Sequence, residues 1–204
     1  NVTLNNGTIT GNLYGGGHGN VGTAANVYSP VHVVVNGGTV TGAVYGCNNA
    51  NGSPRQSVNV DIYGTDNTAN ALATVFGGGN LAAYIPTSDQ APVVEVHNCD
   101  SKIGTLYGGG NAAAVPATDV IVWGGTIGTV YGGGNGAVLA APVNGNSSVT
   151  INGGNITNLY GGNNTSGNIF GTITVNINNT GADDDPAVTN TLCSAPTIGN
   201  VYGG

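Results

Sequence analysis

Residues 125–135 read GTIGTVYGGGN, and this stretch decides the fold because the chain repeats it. An aliphatic residue, an aromatic residue and at least one glycine recur in this order from one end of the sequence to the other. The interval between successive aromatic residues lies between 24 and 42 residues. Repeats of this length are typical of solenoid folds, in which each repeat forms one turn of a stack. The seven aromatic residues are Tyr14, Tyr45, Phe76, Tyr107, Tyr131, Tyr160 and Tyr202.

An alternating apolar segment precedes each copy, as in VHVVVNGG at residues 31–38. Alternation of apolar and other residues is typical of strands with one buried face, and the Gly-Gly or Asn-Gly pair that follows favours a corner. Several repeats add a third apolar stretch that ends at a proline, namely Pro86, Pro116 or Pro142. We therefore predict an all-β chain that forms a parallel β-helix (β-solenoid) of about seven coils, with three short strands per coil and 24–42 residues per repeat.

The repeats cover the whole chain, which predicts one β-solenoid domain over residues 1–204, or one segment of a longer solenoid. The longest interval contains GADDDPAVTNTLCSAPT, residues 181–197, which we predict to be a loop insertion. The sequence starts on a predicted strand and stops at NVYGG without a recognisable polar cap. Open solenoid ends expose unpaired strands, so we expect a fragment or a subunit that associates end to end.

Composition excludes several classes of function. Two basic and nine acidic residues give a net charge of −7, which disfavours binding to nucleic acid. No apolar run reaches the ~18 residues of a transmembrane segment. The glycine phrases lack the lysine of a phosphate-binding loop, so nucleotide binding is not expected. Cys47, Cys99 and Cys193 are odd in number and show no zinc spacing, so we expect small free thiols.

Stacked coils place equivalent residues in columns. The aromatic residues form one such column, which either packs as a structural stack or lines an outer face as a sugar-binding strip. A second column lies four positions after each aromatic residue, and its amide side chains are predicted to form a structural hydrogen-bonded ladder, with a ligand role as the alternative. This asparagine ladder consists of Asn49, Asn80, Asn111, Asn135 and Asn164.

A third group lies on the solvent side of the alternating strands. Asp61 and Glu95 fall on adjacent coils, about one strand spacing apart. Tyr63, His97 and Trp123 lie beside them on three consecutive coils. Aromatic rings stack on sugars, which predicts a ligand-binding patch for a glycan. Two carboxyl groups ~5 Å apart also suit retaining glycoside hydrolysis, so catalysis by Asp61 and Glu95 is the alternative, and a solvated face is the simplest interpretation.

Metal and cofactor signals are weak in the sequence. An acidic run in the predicted insertion offers oxygen ligands for calcium, although an exposed acidic loop is the preferred interpretation. The three histidines, His18, His32 and His97, belong to different coils and columns, so a histidine metal triad is not expected. No other cofactor is predicted. The acidic run consists of Asp183, Asp184 and Asp185.

The phrases VxVxxGGTI and VYGGGN together resemble the Gly/Asn-rich repeats of large bacterial cell-surface and adhesin-like proteins with β-helical passengers, over essentially all 204 residues. The resemblance implies a secreted or surface-displayed protein, located outside the cell or on its surface. It implies a rigid stalk or filament subunit that contacts a glycan, the extracellular matrix or another cell. The main hypothesis is thus a non-enzymatic structural and adhesive module. The alternative is an enzyme acting on polysaccharide, a glycoside hydrolase or lyase that uses Asp61 and Glu95.

Overall fold

The computed structural model describes residues 1–178, 185, 188 and 193–204. All regular elements in this part of the chain are β-strands, and helices are absent from it. The chain winds into a parallel β-solenoid of about 6 turns. The predicted fold class is therefore confirmed, and the estimate of about seven coils is close.

Two parallel sheets form two sides of the solenoid. Sheet A is seven-stranded and contains β1 (Val2–Leu4), β4 (Val31–Val35), β6 (Val58–Ile62), β8 (Val93–Val96), β10 (Thr118–Val122), β12 (Ser147–Ile151) and β14 (Ile173–Ile177), in this spatial order. Sheet B is eight-stranded and contains β2 (Thr8–Ile9), β3 (Leu13–Tyr14), β5 (Thr39–Tyr45), β7 (Leu72–Phe76), β9 (Lys102–Tyr107), β11 (Thr126–Tyr131), β13 (Asn155–Tyr160) and β15 (Thr197–Tyr202).

The third side of the solenoid has little regular pairing. Single bridges join Val27 to Pro54, and Val143 to both Val115 and Ile169. Among the described residues, the third strand predicted for each coil appears only as these isolated bridges, not as a regular strand. Prolines in this part of the repeat cannot donate a backbone hydrogen bond, which limits the pairing to isolated positions.

Equivalent residues pair with one another from coil to coil, whatever the length of the intervening loop. Val33 pairs with Val2 on one side and with Val60 on the other. These valines point inwards, and Val33 and Val60 are fully buried. Burial of such a side chain contributes roughly 1.5–3 kcal/mol to folding. The alternation seen in the sequence therefore produces one continuous apolar core along the axis.

Glycine serves two different purposes at the corners. Gly38 follows β4 with a φ of 91°, a conformation that residues with a side chain rarely adopt. Gly108 follows the aromatic Tyr107, and there the neighbouring coil is too close for a side chain. A Cβ at Gly108 would lie 2.9 Å from Cγ2 of Val120 and against the carbonyl oxygen of Gly132. The glycines after the aromatic residue thus allow close packing of coils.

A disulfide bond joins Cys99 to Cys193, while Cys47 is a buried free cysteine. The prediction of free thiols is therefore wrong for two of the three cysteines. The two half-cystines are 94 residues apart in sequence, and they meet because Cys193, which precedes β15, lies beside the coil that carries β8. No periodic pattern of the sequence encodes this contact.

The predicted insertion, residues 181–197, is described only at 185, 188 and 193–197. Its last residue, Thr197, is already the first residue of β15, so the connection ends one position earlier than predicted. The described residues of the connection between β14 and β15, which are 178, 185, 188 and 193–196, are called the return segment below.

Candidate functional site

The outer face of sheet A brings together the five residues predicted to form a ligand-binding patch. Asp61 pairs in register with Glu95, which places their side chains on adjacent coils. The backbone amide of His97 donates to the carbonyl of Ile62, and that of Trp123 donates to the carbonyl of Val96. The rings of Tyr63, His97 and Trp123 therefore form a neighbouring column on three consecutive coils. We call these five residues the outer patch.

Asp61 is the centre of the outer patch, and only 6% of it is exposed. Its Oδ2 contacts Nε2 of His32, and its Oδ1 lies 3.4 Å from Nε2 of His97. His32 was not among the predicted site residues. It pairs in register with Asn59, two residues before Asp61, and therefore lies on the same outer face, diagonally across one coil. Period-two counting along β4 could have found it, had diagonal neighbours been considered.

Glu95 and the aromatic residues complete the patch. Oε1 of Glu95 accepts a 2.7 Å hydrogen bond from the indole Nε1 of Trp123. The ligand atoms of Asp61, Glu95 and His97 all lie within 4.8 Å of one another. The ring of Tyr63 stacks on His97 with a centroid separation of 4.3 Å. The predicted carboxylate pair is thus assembled, and hydrogen-bonding and aromatic side chains surround it.

The return segment reaches the outer patch from the far end of the molecule. The hydroxyl of Tyr63 donates a 2.6 Å hydrogen bond to Oδ2 of Asp185. Burial, and then this hydrogen bond, raise the pKa of Tyr63 well above its usual value. The disulfide fixes the segment again beside β8. Asp183 and Asp184 lie outside the described residues, so calcium binding by the acidic run stays a prediction.

The seven aromatic residues stack in one column, with neighbouring ring centroids 4.5–4.9 Å apart. Tyr45 follows the fully buried core residue Val44, so its side chain points to the opposite, outer face of sheet B. Tyr45 is nevertheless only 5% exposed, because the rings above and below cover the faces of its ring. Burial, followed by the neighbouring Tyr14, raises the pKa of Tyr45 to about 12. The column is outward-facing, yet ring faces inside it are occupied by other rings and cannot stack on a sugar.

The asparagine column forms a chain of amide hydrogen bonds next to the aromatic rings. Each Nδ2 donates to Oδ1 of the preceding asparagine at 2.8–2.9 Å. Tyrosine hydroxyls join this chain, and that of Tyr45 donates to Oδ1 of Asn80 at 3.3 Å. The chain satisfies polar groups that the turns would otherwise bury. It runs through Asn49, Asn80, Asn111, Asn135 and Asn164.

A shallow groove of about 380 Å³ lies on the outer face of sheet B. Thr74 and Thr105 occupy equivalent register positions in it, and the edges of the Phe76 and Tyr107 rings form its side. Hydroxyl groups therefore repeat along the groove at the strand spacing. Unlike Asp61 and His97, both threonines are only partly buried.

No protein-family model matches this chain, and neither a curated protein nor a solved structure matches it. Among the described residues, none belongs to a helix that is long and apolar enough to cross a membrane. Function must therefore be argued from the surfaces of the solenoid itself.

Proposed function

We propose that this chain is a non-enzymatic extracellular scaffold, a rigid β-solenoid module of the bacterial cell surface that contacts glycan, matrix or another cell. The observation that carries the proposal is the Cys99–Cys193 disulfide, which fastens the return segment to a distant coil. Structural disulfides persist in oxidising environments such as the cell exterior. The resemblance to adhesin-like repeats supports the same location.

The groove on the outer face of sheet B is the proposed contact surface. Thr74 and Thr105 offer hydroxyl groups there, and Asn111 and Asn135 line its border with amide groups. Such groups donate and accept hydrogen bonds, which suits a polar uncharged ligand such as a glycan chain. The low content of charged residues, 5%, favours a ligand of this kind over a highly charged one.

The enzymatic alternative rests on the closely spaced carboxylates of Asp61 and Glu95. Three observations favour the scaffold instead. Asp61 is buried and contacts two imidazoles, Glu95 accepts a hydrogen bond from Trp123, and Asp185 of the return segment accepts one from Tyr63. A polysaccharide chain would need open access to both carboxylates.

A glycan and matrix-protein array probed with the oxidised chain tests the proposal. We expect binding to at least one glycan class, weakened by the paired change Thr74→Val and Thr105→Val, which removes the groove hydroxyls at nearly constant volume. Thr150→Val on the outer face of sheet A is the matched control and should bind normally. A Trp123→Ala variant tests whether the outer patch contributes to binding.

Two results of the array experiment would contradict the proposal. Binding that resists the paired valine change but is lost with Trp123→Ala would place the contact on the outer patch. Absence of binding, together with polysaccharide cleavage that Asp61→Asn abolishes, would replace the scaffold by the enzyme.

End-to-end association is a second part of the proposal. In the part of the chain that the structure describes, β14 ends sheet A beside β12, and β15 ends sheet B beside β13. Free strand edges favour pairing with another copy. Sedimentation velocity over a concentration series should show reversible growth of the mass, and a constant monomer at high concentration would contradict association.

A further inference from the structure

We propose that His32, Asp61, Glu95 and His97 form a binding site for one divalent transition metal ion of the zinc type. Two imidazoles and two carboxylates from three consecutive coils converge at this point of sheet A. The chain contains only three histidines and nine acidic residues, so this is a strong local concentration of metal ligands.

The separation of Asp61 from His97 fits coordination better than a simple hydrogen bond, whereas His32 directly contacts the other oxygen of the same carboxylate. Oδ1 of Asp61 lies 3.4 Å from Nε2 of His97, beyond the 2.7–3.2 Å of a good N–H···O bond. Two ligand atoms that each lie ~2.1 Å from a tetrahedral zinc ion are separated by about 3.4 Å. The nearest ligand atom of Glu95 lies within 4.8 Å of both, which small side-chain rotations bring into the coordination range.

Burial distinguishes this group from an ordinary exposed acidic cluster. The side chains of His97 and Asp61 are 1% and 9% exposed, whereas that of His32 is 41% exposed. The buried pair gives a rigid base, and the exposed imidazole gives a path by which an ion enters from solvent. Such an entry path is a requirement of a usable metal site.

Neighbouring residues hold the ligands in place, as the outer shell of a metal site does. The indole of Trp123 donates to Oε1 of Glu95 and so helps to orient its carboxylate. Tyr63 stacks on the imidazole of His97, and Asp185 accepts the hydrogen bond of its hydroxyl. Asp185 therefore helps to fix the orientation of a ligand through Tyr63.

The ligand types select the ion. Imidazole nitrogen suits zinc and neighbouring transition metals, while calcium takes six to eight oxygen ligands. A set of two nitrogens and two carboxylates therefore favours Zn²⁺ over Ca²⁺. This site is separate from the acidic run that the sequence indicated for calcium.

Isothermal titration of the purified oxidised chain with Zn²⁺ alone tests the proposal. We expect one equivalent to bind, and His32→Gln and Asp61→Asn each to weaken binding at least about tenfold. His18→Gln is the matched control, because His18 lies outside the site beside Asn49, and it should bind as the wild type does. Ca²⁺ at equal concentration should not compete.

Cobalt gives a second, independent readout. Trp123 is the only tryptophan of the chain, and it contacts Glu95 directly. Paramagnetic Co²⁺ in the site should quench its fluorescence in the wild type and in His18→Gln, but not in His32→Gln.

Several results would overturn the site. These are a wild type without Zn²⁺ binding, undiminished binding by His32→Gln, or equal loss in His18→Gln. Because the His32 side chain is partly exposed, His32→Gln retains the fold and decides the question even if Asp61→Asn unfolds.

Discussion

A single methyl group added at Gly108 is expected to destabilise the whole stack. Gly108→Ala would place a Cβ against the backbone of the next coil and against Val120. Overpacking of this kind costs about 1–3 kcal/mol, so the urea midpoint should fall clearly. Gly11→Ala is the matched control, since a Cβ at Gly11 meets no atom within 4 Å. Equal midpoints for the two variants would contradict the close-packing role of Gly108.

Individual residues also show how far sequence reasoning reaches. The pairing of Asp61 with Glu95 follows from alternation and from the position of the glycine corner, both of which are periodic. The contact of His32 with Asp61 is diagonal, and the bond between Cys99 and Cys193 passes through a non-repeating segment. Periodicity does not encode the disulfide, and it reveals the His32 contact only when diagonal neighbours on adjacent coils are compared. The sequence therefore predicted the columns and missed the links between them.

Among the elements, the aromatic column couples stability to pH. The pKa of Tyr45 is about 12 in the folded chain, against ~10 for an exposed tyrosine, so the folded state retains a proton that the unfolded state loses. The corresponding stabilisation is complete below pH ~10 and disappears as the pH rises to ~12. We expect the thermal midpoint to decline over this window.

Tyr45→Phe tests the assignment of that decline. Phe76 already occupies an equivalent place in the column, so the variant should stack normally. Its thermal midpoint should fall less between pH ~10 and ~12 than that of the wild type. An identical decline in both proteins would show that Tyr45 does not contribute.

The disulfide and the buried free cysteine together predict how the chain reacts with thiol reagents. Cys47 is buried, and burial raises the pKa of its thiol, so the native chain should not react with a thiol reagent. Denaturation without reductant should expose one reactive thiol, and Cys47→Ser should abolish it. Three thiols in the denatured, unreduced chain would contradict the Cys99–Cys193 bond.

For the molecule as a whole, stability should vary along the axis, because each coil contacts only its neighbours. Strands such as β10 pair on both sides and alternate between buried and partly buried residues, whereas β15 is mostly exposed and pairs on one side. Hydrogen exchange followed by mass spectrometry should show slow exchange in β8 to β11 and fast exchange in β15.

Reduction of the disulfide provides the control for that gradient. It should accelerate exchange around residues 193–196, where the bond holds Cys193 beside Cys99, and leave β4 unchanged. Uniform acceleration along the chain would instead indicate a single cooperative unit, and exchange unaffected by reduction would show that the return segment is fixed by other contacts.

The direction of the asparagine ladder has an electrical consequence. Every amide hydrogen points toward an earlier coil and every amide oxygen toward a later one. Their dipoles add along the axis, as the peptide dipoles of an α-helix do, instead of cancelling. A chain with few ionised side chains is therefore still a polar object, with its positive pole on the side of Asn49 and its negative pole on the side of Asn164. Dipolar molecules of this kind align along an electric field, and they favour a head-to-tail arrangement with one another.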